Sequence, residues 1–324
     1  MPTVRKDFFL DPKDRLTEQE RALMTSMLAD LLGTIAEEIR ASLPIGFVAA
    51  NDEDGQQLLR ELTDAQLLDH VELIALLLRR ADEERISNAI RVRSNPRGGF
   101  LQALIADDNE AISAAAMALI LARGRRRNRL GQPGIEFEDL SDDLAKALAL
   151  SVAAQIRRHA PGVASREGHL PFGTAAEVLL RSRDPRKAVD GLTAVLVGAL
   201  SKAGYLDENL LEVAADEGDV AFLSHALGER AGFSGANAWD YLADGSDGRL
   251  VLLLRLAGVS REFAAKVLAL LGDLVGIADL GVELGRFDAL DEAKARSVRE
   301  WLQLDPAYRS ALRTLGSDHG DRAV

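Results

Sequence analysis

The chain has no cysteine. That excludes disulfides, thiolate nucleophiles and cysteine-ligated zinc, and it is compatible with the cytoplasm. Aromatic residues are scarce at 5%, while alanine and leucine dominate, a balance that favours helices over a β-sandwich. No stretch alternates apolar and polar residues over a strand's length, so essentially no sheet is expected. Long apolar runs are lacking too. The longest, such as AISAAAMALILA at 111–122, reach about half of the roughly twenty residues that a membrane-spanning helix needs. The opening MPTVRKDFFLDPKDRL holds no apolar segment of signal-peptide length. Positive charge is the minority sign: 39 Lys and Arg stand against 51 Asp and Glu, a net charge of −12. An acidic surface repels phosphate backbones and anionic lipid, so neither nucleic acid nor a membrane is expected as partner.

Several catalytic signatures are also missing. There is no G-x-S-x-G, no G-x-x-x-x-G-K-[ST] and no H-E-x-x-H. Acidic pairs such as Asp107-Asp108 and Asp142-Asp143 fall at expected helix starts, where carboxylates complement the helix dipole. No catalytic residue, metal ligand or cofactor is assigned.

What is present is a pattern repeated three times between Ala203 and Asp273. The copies are AGYLDENLLEVAADEGD (203–219), AGFSGANAWDYLADGSD (231–247) and AGVSREFAAKVLALLGD (257–273), starting 28 and then 26 residues apart. That length fits two short helices and their turns. Gly204, Gly232 and Gly258 sit where a helix ends in the left-handed conformation that glycine adopts at little cost. Asp207, Ser234 and Ser260 follow as N-caps of the next helix, and Asp219, Asp247 and Asp273 as N-caps of the second one. Apolar residues recur in steps of three and four: Leu210, Val213 and Ala214; Ala238, Tyr241 and Leu242; Ala264, Val267 and Leu268. The expected class is all-α, with helical hairpins stacked as a short HEAT-like array behind an N-terminal helical region.

Upstream, Phe8, Phe9 and Leu10 are read as docking a loose tail. Thr17-Glu18-Gln19-Glu20 is a capping box that opens a long helix to about Ser42, with a broad apolar face from Leu23 to Ile39. Either the following helices cover that face or a second copy of the chain pairs through helix 17–42; the sequence leaves both open. Residues 44–61 read as a polar connection. Thr63-Asp64-Ala65-Gln66 reads as a second capping box, and its helix breaks near Ala81-Asp82 before another at 83–93. APGVASREGHLPFG (160–173) reads as a boundary. The expected organisation is therefore 1–62 (tail, long helix and linker), 63–160 (N-terminal helical region) and 161–324 (repeat region), with helices at 288–303 and 306–315 near the end.

Two polar features stand out. The first is the cluster Arg123, Arg125, Arg126, Arg127 and Arg129. Guanidinium groups in such number suit a phosphate, an acidic partner or a phosphorylated protein. They equally suit a helix C-terminus, or the chain's own Glu136, Glu138 and Asp139 just downstream. The second is His70, the candidate phosphoacceptor if the chain were a dimeric histidine phosphotransfer or degenerate histidine-kinase-like protein. The lysine and glycine that usually accompany such a histidine are absent at the expected downstream spacing, so a structural or merely exposed histidine explains it. The leading expectation is a non-enzymatic, cytoplasmic interaction module, a scaffold or signalling regulator, with another protein as partner.

The segments GDVAFLSHALGERAGFSGANAWDYLADGSDGRLVLLLRLAGVSREFAAKVLALL (218–271) and LARGRRRNRLGQPGIEFEDLSDDLAKALALSVAAQIRR (121–158) resemble the DUF2336 family. The resemblance spans about Leu62 to Gly285. It implies helical, repeat-like architecture and a mostly alphaproteobacterial setting, and it transfers no functional residue.

Overall fold

The computed structural model describes residues 16–44, 55–94, 98–128, 131–160, 169–302, 304, 308, 311, 312 and 315. Phe8, Phe9, Leu10, Arg129 and most of 306–315 lie outside them. The described residues form fifteen α-helices: α1 (Glu18–Ala41), α2 (Gly55–Asp64), α3 (Val71–Ser94), α4 (Phe100–Ile105), α5 (Glu110–Arg125), α6 (Asp142–His159), α7 (Leu170–Ser182), α8 (Val189–Ala203), α9 (Glu208–Asp216), α10 (Val220–Ala231), α11 (Gly235–Leu242), α12 (Arg249–Leu256), α13 (Arg261–Leu271), α14 (Leu280–Ala289) and α15 (Glu292–Leu302). Among the described residues there is no strand, only one antiparallel bridge between Arg127 and Pro133. The chain is all-α.

Two compact units divide it, and each draws on two stretches of chain. The first holds residues 1–81 and 123–188, the second 82–122 and 189–324. The packing therefore cuts the chain elsewhere than at 62 and 160. The cut at Ala81 falls where a helix break was expected, yet α3 runs through it unbroken. Its middle, Arg79-Arg80-Ala81-Asp82-Glu83-Glu84-Arg85, contains only residues that a helix accepts, with no glycine or proline to end it.

In the first unit, α1 packs against α2, α6 and α7. Thr17 and Glu20 form the capping box, each side chain bonding the other's backbone N–H. The face Met27, Leu31, Leu32, Ile35, Ala36 and Ile39 is fully covered by Leu58 and Leu62 of α2, Leu148 and Val152 of α6, and Phe172 and Ala176 of α7 in one core. The chain thus covers its own long helix, and a second copy pairing along α1 would meet the polar side.

Helix α2 stands where a polar connection was expected. It ends at Asp64, where a helix start was expected, and Gln66 turns the chain with φ 58°. The Thr63 hydroxyl bonds back to the Leu59 carbonyl instead of capping forward. Leu58 and Leu62, four apart, are the buried face that the polar opening Gly55-Gln56-Gln57 disguised. Gly55 lies so close to α1 that a Cβ there would come within 2.2 Å of the Ala29 carbonyl oxygen. Gly55→Ala is expected to force α2 off α1 and to cost about 1–3 kcal/mol. A denaturant midpoint equal to that of the parent chain would refute this contact.

The second unit is built around α10, which packs against α8, α9, α11 and α12. Val220, Phe222, Leu223, Ser224, His225, Ala226, Leu227 and Gly228 are all buried, the signature of a central helix rather than an amphipathic one. The three sequence copies have matching starts. Gly204, Gly232 and Gly258 adopt φ 75°, 88° and 65°. Asp207, Ser234 and Ser260 accept from the backbone N–H of Leu210, Asn237 and Phe263. Their ends diverge. Asp219 caps α10 through Phe222 N–H. Asp247, in contrast, sits inside a 3-10 turn at φ 53°, and Asp273 lies in another and pairs with Arg93 at 2.7 Å. Val213, expected on a covered face, is exposed. The first and third copies also touch. Glu208 accepts from the N–H and hydroxyl of Ser260, and Lys266 donates to Asp216 at 2.9 Å. A straight stack, in which each repeat meets only its neighbours, contains no such contact.

Candidate functional site

The arginine cluster lies where α5 ends and the chain turns back in the first unit. Gly131 takes φ 74°, Asn128 N–H donates to the Gln132 carbonyl, and Gln132 N–H donates to the Asn128 side chain. These bonds tie a short hairpin that leads into a 3-10 turn, Phe137–Asp139. A Cβ on Gly134 would stand 2.7 Å from the Arg126 carbonyl oxygen, so the two arms require glycine there.

The arginines have separate environments. Arg126 is anchored: its side chain donates to the Gly134 carbonyl at 3.0 Å and to Asp139 at 2.8 Å. Arg80 of α3 reaches the other oxygen of Asp139 at 3.3 Å. Both Arg80 and Asp139 are almost wholly buried, with side chains 3% and 1% exposed. Glu136 N–H completes the set of donors on Asp139. Arg125 is 59% exposed and stands 3.7 Å from Glu136. Arg127 is exposed and donates to the Gly131 carbonyl, and Arg123 is half-buried. The cluster therefore does meet the chain's own downstream acids, and among its described members Arg125 and Arg127 are exposed.

These two border an open cleft of about 1000 Å³. One side is a single face of α1, Ser26, Asp30, Thr34 and Glu37, with Glu38 and Arg40 beside it. The other is the hairpin, from Arg125 to Asn128, with Gln132 and the run from Gly134 to Glu138. Leu179, Ser182 and Arg183 close the lining, and Asn128 spans the two sides with a 3.3 Å bond to Asp30. Arg183 is itself an anchor: it donates to the carbonyls of Phe137 and Leu140 and pairs with Asp142 at 2.6 Å. Burial pushes the Glu136 carboxyl above its usual range, and neighbouring Asp139 adds to that, while Arg125 opposes it.

Arg80, Arg183 and the acidic face of α1 were not singled out from the sequence. Arg80 did carry one signal: it lies three residues after the buried Leu77, on the apolar side of its helix.

His70 does not lie within a helix. It immediately precedes α3, with its carbonyl accepting from Ile74 N–H. His225 is buried in α10, its Nδ1 bonded to the Ala221 carbonyl and its ring against Gly235. His159 joins Glu61 and Gln155 in a cluster that ties α2 to α6. A bond from Gln57 holds the Glu61 carboxyl below its usual range, against the effect of burial, and His159 helps. Among the described residues no group of three or more His, Asp or Glu is arranged to hold a metal ion, and no helix is long and apolar enough to cross a membrane.

A family model described as "Uncharacterised protein conserved in bacteria (DUF2336)" matches residues 61–300. No curated protein and no solved structure matches the chain.

Proposed function

We propose that this chain, which belongs to the DUF2336 family, is a non-enzymatic interaction module. In this reading it is a cytoplasmic scaffold or signalling regulator that engages another protein through the cleft of its first unit. The observation that carries the reading is the pair Arg125 and Arg127, exposed at the border of an open, charged cleft. Small-molecule pockets are predominantly apolar and enclose their ligand. This cleft is open, and charged and amide side chains from α1 and the hairpin share its lining with Ile135, Phe137 and Leu179, which suits the mixed surface of a macromolecule. Arg126 and Arg183 support it by holding the hairpin rigidly, so that their exposed neighbours are presented in one geometry. The hairpins of the second unit belong to the same reading, as a short HEAT-like scaffold folded so that its first and third copies meet.

The test uses the full chain with a photo-crosslinking residue in place of Gln132, an exposed position in the cleft. In cells, a discrete protein adduct is expected. It should disappear when Arg125 and Arg127 are both changed to Glu, while stability changes by no more than about 0.5 kcal/mol, as surface changes do. No adduct, or one indifferent to the charge reversal, would overturn the proposal.

A further inference from the structure

The charges lining the cleft balance. Arg40, Arg125, Arg126, Arg127 and Arg183 face Asp30, Glu37, Glu38, Glu136 and Glu138. They are not evenly mixed. On the α1 side the exposed charges are Asp30, Glu37 and Glu38, all acidic, and Arg40 is only partly exposed. On the hairpin side the exposed charges are Arg125 and Arg127, since Glu136 and Glu138 are only partly exposed and Arg126 is committed to Asp139. The cleft thus has an acidic side and a basic side.

From this geometry we infer that the occupant is a protein segment carrying cationic and anionic side chains together, its Lys or Arg groups toward Asp30 and Glu37 and its Asp or Glu groups toward Arg125 and Arg127. The inference rests on the cleft being the protein-binding surface, and it names the chemistry of the partner there. A polyanion would gain Arg125 and Arg127 but would set its remaining charge against the α1 carboxylates. A polycation would meet the converse. Like charges brought together across an interface oppose binding, so each side rejects what the other attracts. A plain phosphate site is disfavoured on the same ground. The guanidinium groups of Arg126 and Arg183 already bond Asp139, Asp142 and backbone carbonyls.

The experiment measures binding of three fluorescent peptides of equal length to the full chain. One alternates Lys and Glu, one carries only Glu as its charge, and one only Lys. The alternating peptide is expected to bind best, and to weaken at high salt because the contacts are exposed. Its affinity should fall about tenfold or more, in terms of ΔΔG about 1.4 kcal/mol, for Asp30→Lys/Glu37→Lys and equally for Arg125→Glu/Arg127→Glu. An all-Glu peptide that binds as well and ignores the α1 variant would overturn the inference. So would failure of all three peptides to bind. If the crosslinked adduct at position 132 forms regardless, the cleft still binds protein and only the two-sided chemistry is wrong. If the alternating peptide binds but no adduct forms in cells, the interaction module falls and the charge selectivity stands.

Discussion

Replacing Asp139 with alanine is expected to destabilise the first unit by about 3–5 kcal/mol, the loss typical when one partner of a buried ion pair is removed. The Asp139 side chain is 1% exposed and accepts from Arg80, Arg126 and the Glu136 backbone. Without it, two guanidinium groups remain beside each other, 3% and 10% exposed, with their shared counter-charge gone. Repulsion and missing solvation then act together. Hydrogen exchange across residues 135–148 is the suitable measurement, because a chain with two cores need not unfold in one step. A loss below about 1 kcal/mol would mean that water reaches the carboxylate and that the triad is not a buried one. A companion variant separates charge from shape. Changing Arg80, Asp139 and Arg126 together to Met, Leu and Met removes every charge while keeping most of the volume, and should recover much of the lost stability. It should still weaken partner binding, because the hairpin loses the anchor that orients Arg125 and Arg127.

The second large effect is expected in the other core. Phe222→Ala should cost about 3–5 kcal/mol, the range for emptying a buried aromatic site. Phe222 is 0% exposed, its ring meets that of Phe100 edge-on at 5.0 Å, and its N–H is the donor that Asp219 accepts. Because α10 is buried on all sides, the surrounding helices have little room to close the void. Phe222→Leu, which keeps most of the volume, should lose less than the alanine variant. Chemical denaturation of the two variants checks both figures. Equal losses would mean that the ring contact with Phe100, not volume, dominates.

How far these features could be read beforehand depended on how local their causes are. The caps at Thr17, Asp207, Ser234 and Ser260 were legible because a cap needs only a side chain and an N–H three residues on. The closing caps of the second and third repeats failed for a different reason. Asp247 and Asp273 occupy the right position, but there the chain winds into 3-10 turns whose shape is set by packing. Helix α2 was missed because its stability comes from α1, through Gly55, Leu58 and Leu62, and not from its own polar opening. The candidate site divides the same way. The arginine run and its nearest acids lie within sixteen residues of one another, so their meeting could be anticipated. The Arg80 partner, 59 positions from Asp139, and the Asp30 face opposite, 98 positions from Asn128, are products of the tertiary fold.

The interleaving of the two units bears on how the chain is made and dissected. The first unit needs α1 and α2 together with α6 and α7, and residues 82–122 of the second unit are inserted between them. During synthesis, α1 and α2 leave the ribosome long before α6, so Leu31, Leu32 and Ile35 have only Leu58 and Leu62 to cover them while some eighty further residues are polymerised. No single cut separates the units: a cut after Ala188 keeps the first whole but carries residues 82–122 of the second with it. Starting the protein at Thr63 would strip Leu148, Val152 and Phe172 of the helices that cover them, and the product should aggregate rather than report on a smaller domain.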